Sequence, residues 1–183
     1  DDGSMVVGFA ENPTGGYRQM AYWTDDVVGP QVLGGEDAGE LYAVDSYGTS
    51  ACGVWNQEQV YWDPVNGLVS LGSIPGEFEG TAFDISDDGK VVGECGNAFF
   101  GVITATVWTV EDGLMTAADF FATYDVPTPE GYHYARCTGV SADGSTFVGA
   151  GVEDGGFFYS PWLVRLDDSV VPAFFSPIDV EIS

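Results

Sequence analysis

The chain has 183 residues, with 29 acidic side chains against four basic ones and a formal net charge of -25 at pH 7. Hydrophobic residues make up 45% and aromatics 14%, enough for a packed core and too many for a disordered acidic tail. Its only Lys and Arg residues are Arg18, Lys90, Arg136 and Arg165, too few to neutralise phosphates, which excludes nucleic acid and anionic membrane surfaces as direct partners.

The first unit, about residues 1–37, opens on the turn Asp1-Asp2-Gly3 and runs into Met5-Val6-Val7-Gly8. A further strand, Met20-Ala21-Tyr22-Trp23, ends in Trp, and Gln31-Val32-Leu33-Gly34 follows it. In the second unit, 38–78, Val44-Asp45-Ser46-Tyr47-Gly48 precedes Ala51-Cys52-Gly53. Tyr47 stands there in place of the Asp that precedes the turn Gly in the other units. Gln59-Val60-Tyr61-Trp62 and Leu68-Val69-Ser70-Leu71-Gly72 flank the turn Asp63-Pro64-Val65-Asn66-Gly67. Trp55 lies outside the pattern and is a candidate surface contact. The third unit, 79–134, has Ile85-Ser86-Asp87-Asp88-Gly89, then Val91-Val92-Gly93, then Ala105-Thr106-Val107-Trp108 and Glu111-Asp112-Gly113. A short helix is expected within 115–124, inside a Pro- and aromatic-rich insertion at about 119–134. The fourth unit, 135–183, repeats Val140-Ser141-Ala142-Asp143-Gly144, Phe147-Val148-Gly149 and Ser160-Pro161-Trp162.

Asp-Gly flanked by β-branched residues is a hairpin signal, because Gly accepts the positive φ of the tight turn. The turn glycines Gly3, Gly48, Gly89 and Gly144 are 45, 41 and 55 residues apart. Four short strands every 40 to 45 residues is the signature of a propeller blade. The expectation is one all-β, β-propeller-like domain of about four blades, each with four antiparallel strands. Trp23, Trp62, Trp108 and Trp162 are expected to fill the space between blades.

The ends match. The C-terminal Ile178-Asp179-Val180-Glu181-Ile182-Ser183, joined to Asp1-Asp2-Gly3, reads Ile-Ser-Asp-Asp-Gly, as at Ile85 through Gly89. The first unit lacks a first strand, and Val180, Glu181, Ile182 and Ser183 form a spare one. Supplied within one chain, it would close a ring; supplied between chains, it would build a head-to-tail filament. The match also fits a piece cut from a longer repeat array. The chain starts at Asp1 rather than Met, as a processed product or a fragment would, and no signal peptide is visible.

The pieces Thr81-Ala82-Phe83-Asp84-Ile85-Ser86-Asp87-Asp88-Gly89-Lys90-Val91-Val92-Gly93, Ala105-Thr106-Val107-Trp108-Thr109 and Gly113-Leu114 resemble the extracellular HAF repeat of secreted bacterial proteins. Ser141-Ala142-Asp143-Gly144 with Trp162, and Tyr61-Trp62 with Gly67-Leu68-Val69-Ser70-Leu71-Gly72, repeat the theme. The resemblance implies an exported, propeller-like repeat protein. It implies no reaction, so no catalytic residue carries over.

The chemistry-bearing residues are sparse. His133, between Tyr132 and Tyr134, is the only His, and no nucleophile motif accompanies it. Seven acidic pairs sit mostly at turns, where Asp bonds its own backbone. They form no Asp-x-Asp-x-Asp-Gly loop, so Ca²⁺ is a minority reading and no metal ligand is assigned. Cys52, Cys95 and Cys137 are too scattered for zinc, and fit either one disulfide plus a thiol or three buried thiols. Paired carboxylates could hydrolyse a glycan, but among 29 acids such pairs are unavoidable. The expected function is a non-enzymatic, extracellular or cell-surface module in structure, adhesion or binding, without membrane insertion. A glycan-active propeller enzyme is the alternative. Phe120, Phe121 and Tyr124, with Tyr132, His133 and Tyr134, either present rings to a glycan or protein, or cap one blade.

Overall fold

A computed structural model describes residues 3–97, 102–156 and 159–166. The fold is all-β, with one short helix among these residues. The strands are β1 (Met5–Glu11), β2 (Arg18–Thr24), β3 (Gln31–Val32), β4 (Gly39–Val44), β5 (Ala51–Trp55), β6 (Glu58–Asp63) and β7 (Gly67–Gly72). They continue as β8 (Glu79–Ile85), β9 (Val91–Asn97), β10 (Val102–Thr109), β11 (Gly113–Thr116), then helix α1 (Ala117–Ala122), β12 (Tyr132–Val140), β13 (Thr146–Glu153) and β14 (Ser160–Arg165). They form four separate antiparallel sheets in chain order: β1-β2-β3, β4-β5-β6-β7, β8-β9-β10-β11 and β12-β13-β14. The two middle sheets have the expected four strands. The first and fourth have three each among the described residues, and none of the four sheets closes on itself. Val180, Glu181, Ile182 and Ser183, with Asp1 and Asp2, lie outside the described residues.

The turns form as the glycine spacing requires, with φ of 74°, 66°, 82° and 67° at Gly3, Gly48, Gly89 and Gly144. The turn with Tyr47 closes like the others: the Gly48 N–H donates to the Asp45 carbonyl. The helix begins at Thr116, whose hydroxyl accepts from the Asp119 N–H as an N-cap.

One device recurs in three sheets. The first strand carries a β-bulge between Leu41 and Ala43, between Ala82 and Asp84, and between Cys137 and Gly139. Opposite each bulge stands the second glycine of the motif: Gly53, Gly93 or Gly149. A Cβ there would lie 2.0, 2.2 or 1.9 Å from the carbonyl oxygen of Glu40, Thr81 or Arg136. The motif ends in Gly because the bulged backbone fills the space a side chain would need.

Three apolar cores mark three seams between successive sheets. The first joins Met20, Leu41, Val60 and Trp62; the second joins Cys52, Ala82, Ile85 and Val91. The third is the largest and joins Val92 and Val107 to Phe120, Phe121, Tyr134, Phe147 and Trp162. The packing partners alternate in size. Met20 fills the space above Gly39 and Gln59 that above Gly80. At the third seam the sizes reverse, with Ala105 at the place of Met20 and Gln59, and Tyr134 at the place of the glycines. The buried Gln59 amide donates to Cys95 Sγ at 3.1 Å and accepts from the Thr106 hydroxyl at 3.1 Å, so no polar group is stranded there.

The tryptophans need two corrections. Trp23, Trp62 and Trp108 are equivalent, standing opposite Val6, Ala51 and Val91. Trp162 stands two residues earlier, opposite Gly149, and Val164 takes the equivalent place. The indole at 162 occupies room that only a glycine partner leaves. Trp55 is not a surface contact: it is half-buried against the first core, with a fully covered Nε1.

Candidate functional site

The repeated turns lie together at one end of the sheets. The Ser46 N–H and hydroxyl donate to the Asp87 carboxylate at 2.8 and 2.6 Å, which ties the second turn to the third. The Asp87 N–H donates to the Ala142 carbonyl at 2.8 Å and ties the third to the fourth. The buried Asp45 accepts from the Thr49 N–H and the Ser50 hydroxyl. Burial pushes the Asp45 carboxyl up, but these donors outweigh it and hold the group below the ordinary carboxylate value. The turn acids are therefore fasteners. Among the described residues, no three His, Cys, Asp or Glu side chains gather into a metal site.

A polar cleft opens between the third and fourth sheets, near the start of β8. It encloses about 170 Å³ and is lined by Glu79, Gly80, Thr81, Glu94, Gly96, Ile103 and Arg136. Arg136 Nε lies 2.6 Å from Glu94 Oε2, and the guanidinium carbon sits 5.8 Å from the Tyr159 ring centroid. The ion pair is close but out of line for a hydrogen bond, since both atoms are covered and lack one. Burial pushes the Glu94 carboxyl above its ordinary value, and Arg136 pulls it only part of the way back. The cleft thus holds two carboxylates and one guanidinium, with room for a small polar group.

His133 is built into the wall beside this cleft. Its Nε2 lies 2.7 Å from the Ile103 carbonyl of β10, so Nε2 carries the proton and the ring ties β12 to the third sheet. Cys52, Cys95 and Cys137 are free and buried, which settles the disulfide alternative. Burial pushes all three thiols up, Cys52 and Cys137 furthest, leaving little nucleophilic thiolate. The insertion rings cap a blade rather than face outward: Phe120, Phe121 and Tyr134 are in the third core, and only Tyr124 is largely exposed. Sequence reasoning missed the cleft. Glu79, Glu94 and Arg136 come from three strands with no shared motif, and only the fact that Arg136 is one of four cations singled it out.

A solved structure described as a TolB candidate from Agrobacterium tumefaciens is similar to this chain, with a TM-score of 0.59 and 15% identity over 90% of this chain. The fold is β-propeller-like. At that identity the likeness shows the fold alone, and the chain spans 58% of that structure's length. No protein-family model matches the chain, and no curated protein does. Among the described residues, no helix is long and apolar enough to cross a membrane.

Proposed function

We propose that this chain is a secreted or cell-surface β-propeller-like repeat module of the HAF kind, which binds or scaffolds rather than catalyses. The observation that carries this reading is the use made of its reactive side chains. His133 is tied to a neighbouring sheet, the turn acids bond groups of their own turn or, at Asp87, of the next, and the thiols are buried. The acidic remainder forms a solvated shell suited to salty water outside the cell. The test is a side-by-side assay of glycan binding and glycan turnover. Binding without turnover is expected. Turnover abolished by Glu79→Gln or Glu94→Gln would establish the glycan-active enzyme instead.

The same proposal includes ring closure, with Val180, Glu181, Ile182 and Ser183 completing the first sheet of their own chain. Support comes from equivalent positions. Ala51, Val91 and Phe147 are 0% exposed, whereas Val6, their counterpart in the first sheet, is 58% exposed. Cys52 and Val92 are 0% exposed, whereas Val148, their counterpart in the fourth sheet, is 39% exposed. Met5 and Val7 pack toward the second sheet, so strand alternation turns Val6 away from it. Phe147 packs toward the third sheet, which turns Val148 away from that one. Val6 and Val148 thus face the place where a seam between the fourth and first sheets would lie. Light scattering should find a monomer in physiological salt that is lost on deletion of residues 180–183. Filaments in salt would favour strand addition between chains.

A further inference from the structure

The three bulges each leave one residue without a cross-strand partner: Tyr42, Phe83 and Thr138. All three lie on the first strand of a sheet, and β4 and β12 each pack against β8. Nothing in the fold demands an aromatic there, because Thr138 holds the place in the fourth sheet. Yet two of the three are aromatic, and neither belongs to any of the three cores. The Tyr42 and Phe83 ring centroids are 6.4 Å apart and tilted by 34°, and Tyr42 is 45% exposed.

Polar groups stand beside the rings. Burial first and then the Glu40 charge raise the Tyr42 phenol above its ordinary pKa. Glu40 Oε1 in turn accepts from Arg18 Nη1 at 2.7 Å. The result is a shallow aromatic V with a carboxylate and a guanidinium at its edge. Apolar ring faces receive the C–H face of a sugar, and charged side chains beside them exchange hydrogen bonds with its hydroxyls. The net charge of -25 opposes any anionic ligand.

We propose that Tyr42, Phe83, Glu40 and Arg18 form a subsite for a neutral saccharide, about one pyranose ring wide per aromatic. This rests on the binding-module reading and gives it a place and a ligand class. Of the insertion rings, for which the sequence leaves display and capping open, Phe120, Phe121 and Tyr134 are packed into the third core, whereas Tyr42 is exposed and Phe83 is half-buried.

The experiment titrates the full chain with cellohexaose, laminarihexaose and maltohexaose, followed by calorimetry and by amide NMR shifts. Tetramethylammonium serves as the competing probe for a cation-binding aromatic pair. At least one hexasaccharide should bind and shift amides around residues 40–43 and 82–84. Tyr42→Thr and Phe83→Thr, which copy the residue at position 138, should each weaken it roughly tenfold without moving the melting temperature. Tyr42→Phe keeps the ring and should retain most of the affinity. Failure of all three saccharides to bind, or binding unchanged in the double Thr variant, overturns the subsite. So does tetramethylammonium binding at these rings in place of sugar. Saccharide bound elsewhere would sink the subsite and leave the module reading intact. Turnover of a saccharide held by Tyr42 would do the reverse.

Discussion

Replacing Gly53 by Ala tests the bulge-and-glycine device directly. The new Cβ would lie 2.0 Å from the Glu40 oxygen and 2.8 Å from Leu41 Cα. Close C···O contacts in sheets are about 3.3 Å or longer, so the β4 backbone must retreat by more than about 1 Å. That retreat strains the ladder at the Leu41–Gly53 pair. Overpacking plus weakened backbone bonds should cost about 3 kcal/mol. For a chain of this size that lowers the melting temperature by roughly 6–12 °C. Gly67→Ala is the matched control. Its φ is 74°, but nothing lies within 4 Å of the added atom, so only the left-handed backbone is strained, at about 1 kcal/mol. Urea melts of both variants, with unchanged slope, measure the difference. A loss at Gly53 no larger than that at Gly67 would refute the reasoning. Gly93→Ala and Gly149→Ala should behave like Gly53→Ala, because their contacts are equally short.

Phe121→Ala should cost about 3–5 kcal/mol in a denaturant melt, since its ring is fully buried among Tyr134, Phe147 and Trp162; a loss under about 1 kcal/mol would return the insertion to the surface. Melting temperature should rise when dilute buffer is brought to physiological salt, because the Debye length falls from about 30 Å to about 8 Å and screens the net negative charge. In salt, stability should also depend on pH with two opposite signs. The raised Glu94 carboxyl binds a proton more readily in the folded chain, so stability gains as pH falls through its folded value, a gain complete below about 4.3. The hydrogen-bonded Asp45 and Asp88 carboxyls are lowered, so their contribution is present above about 3.9 and is lost as pH falls through their folded values. Stability should therefore peak in mild acid, and Glu94→Gln should flatten the rise on the neutral side while leaving the acid loss.

Most of the architecture was legible because the repeat speaks through local chemistry. Asp-Gly turns and β-branched runs name hairpins without tertiary information, and even the turn lacking its Asp closes, since Gly48 rather than Tyr47 supplies the positive φ. The strand ending in Trp was legible in three units and misleading in the fourth, because a Trp motif records composition and not register. Trp162 slid by two residues where Gly149 left room. Trp55 looked exposed because it falls outside the repeat, yet Met20 and Gly34 provide a bed for it from another sheet. The candidate sites were the hardest to foresee. Glu94 and Arg136 meet only because two strands from different sheets pack, and Tyr42 and Phe83 stand out only once the bulges leave them unpaired.

Ring closure is tested most directly by the double variant Val6→Cys/Ile182→Cys. In the three complete hairpins the aliphatic before the turn pairs with the first buried residue after it: Val44 with Ala51, Ile85 with Val91, Val140 with Phe147. Under the proposed closure, the repeat phase would put Ile182 opposite Val6 in the same way. The Ser86 N–H donates to the Lys90 carbonyl one step beyond the Ile85–Val91 pair, which makes that pair the non-hydrogen-bonded kind, with Cα atoms about 4.5 Å apart and within disulfide reach. The native cysteines are buried and do not compete. Mild oxidation followed by a non-reducing gel should give a single monomeric band of altered mobility, reversed by reductant. A ladder of linked chains, or no bond at all, would contradict closure of the ring by its own C-terminal strand.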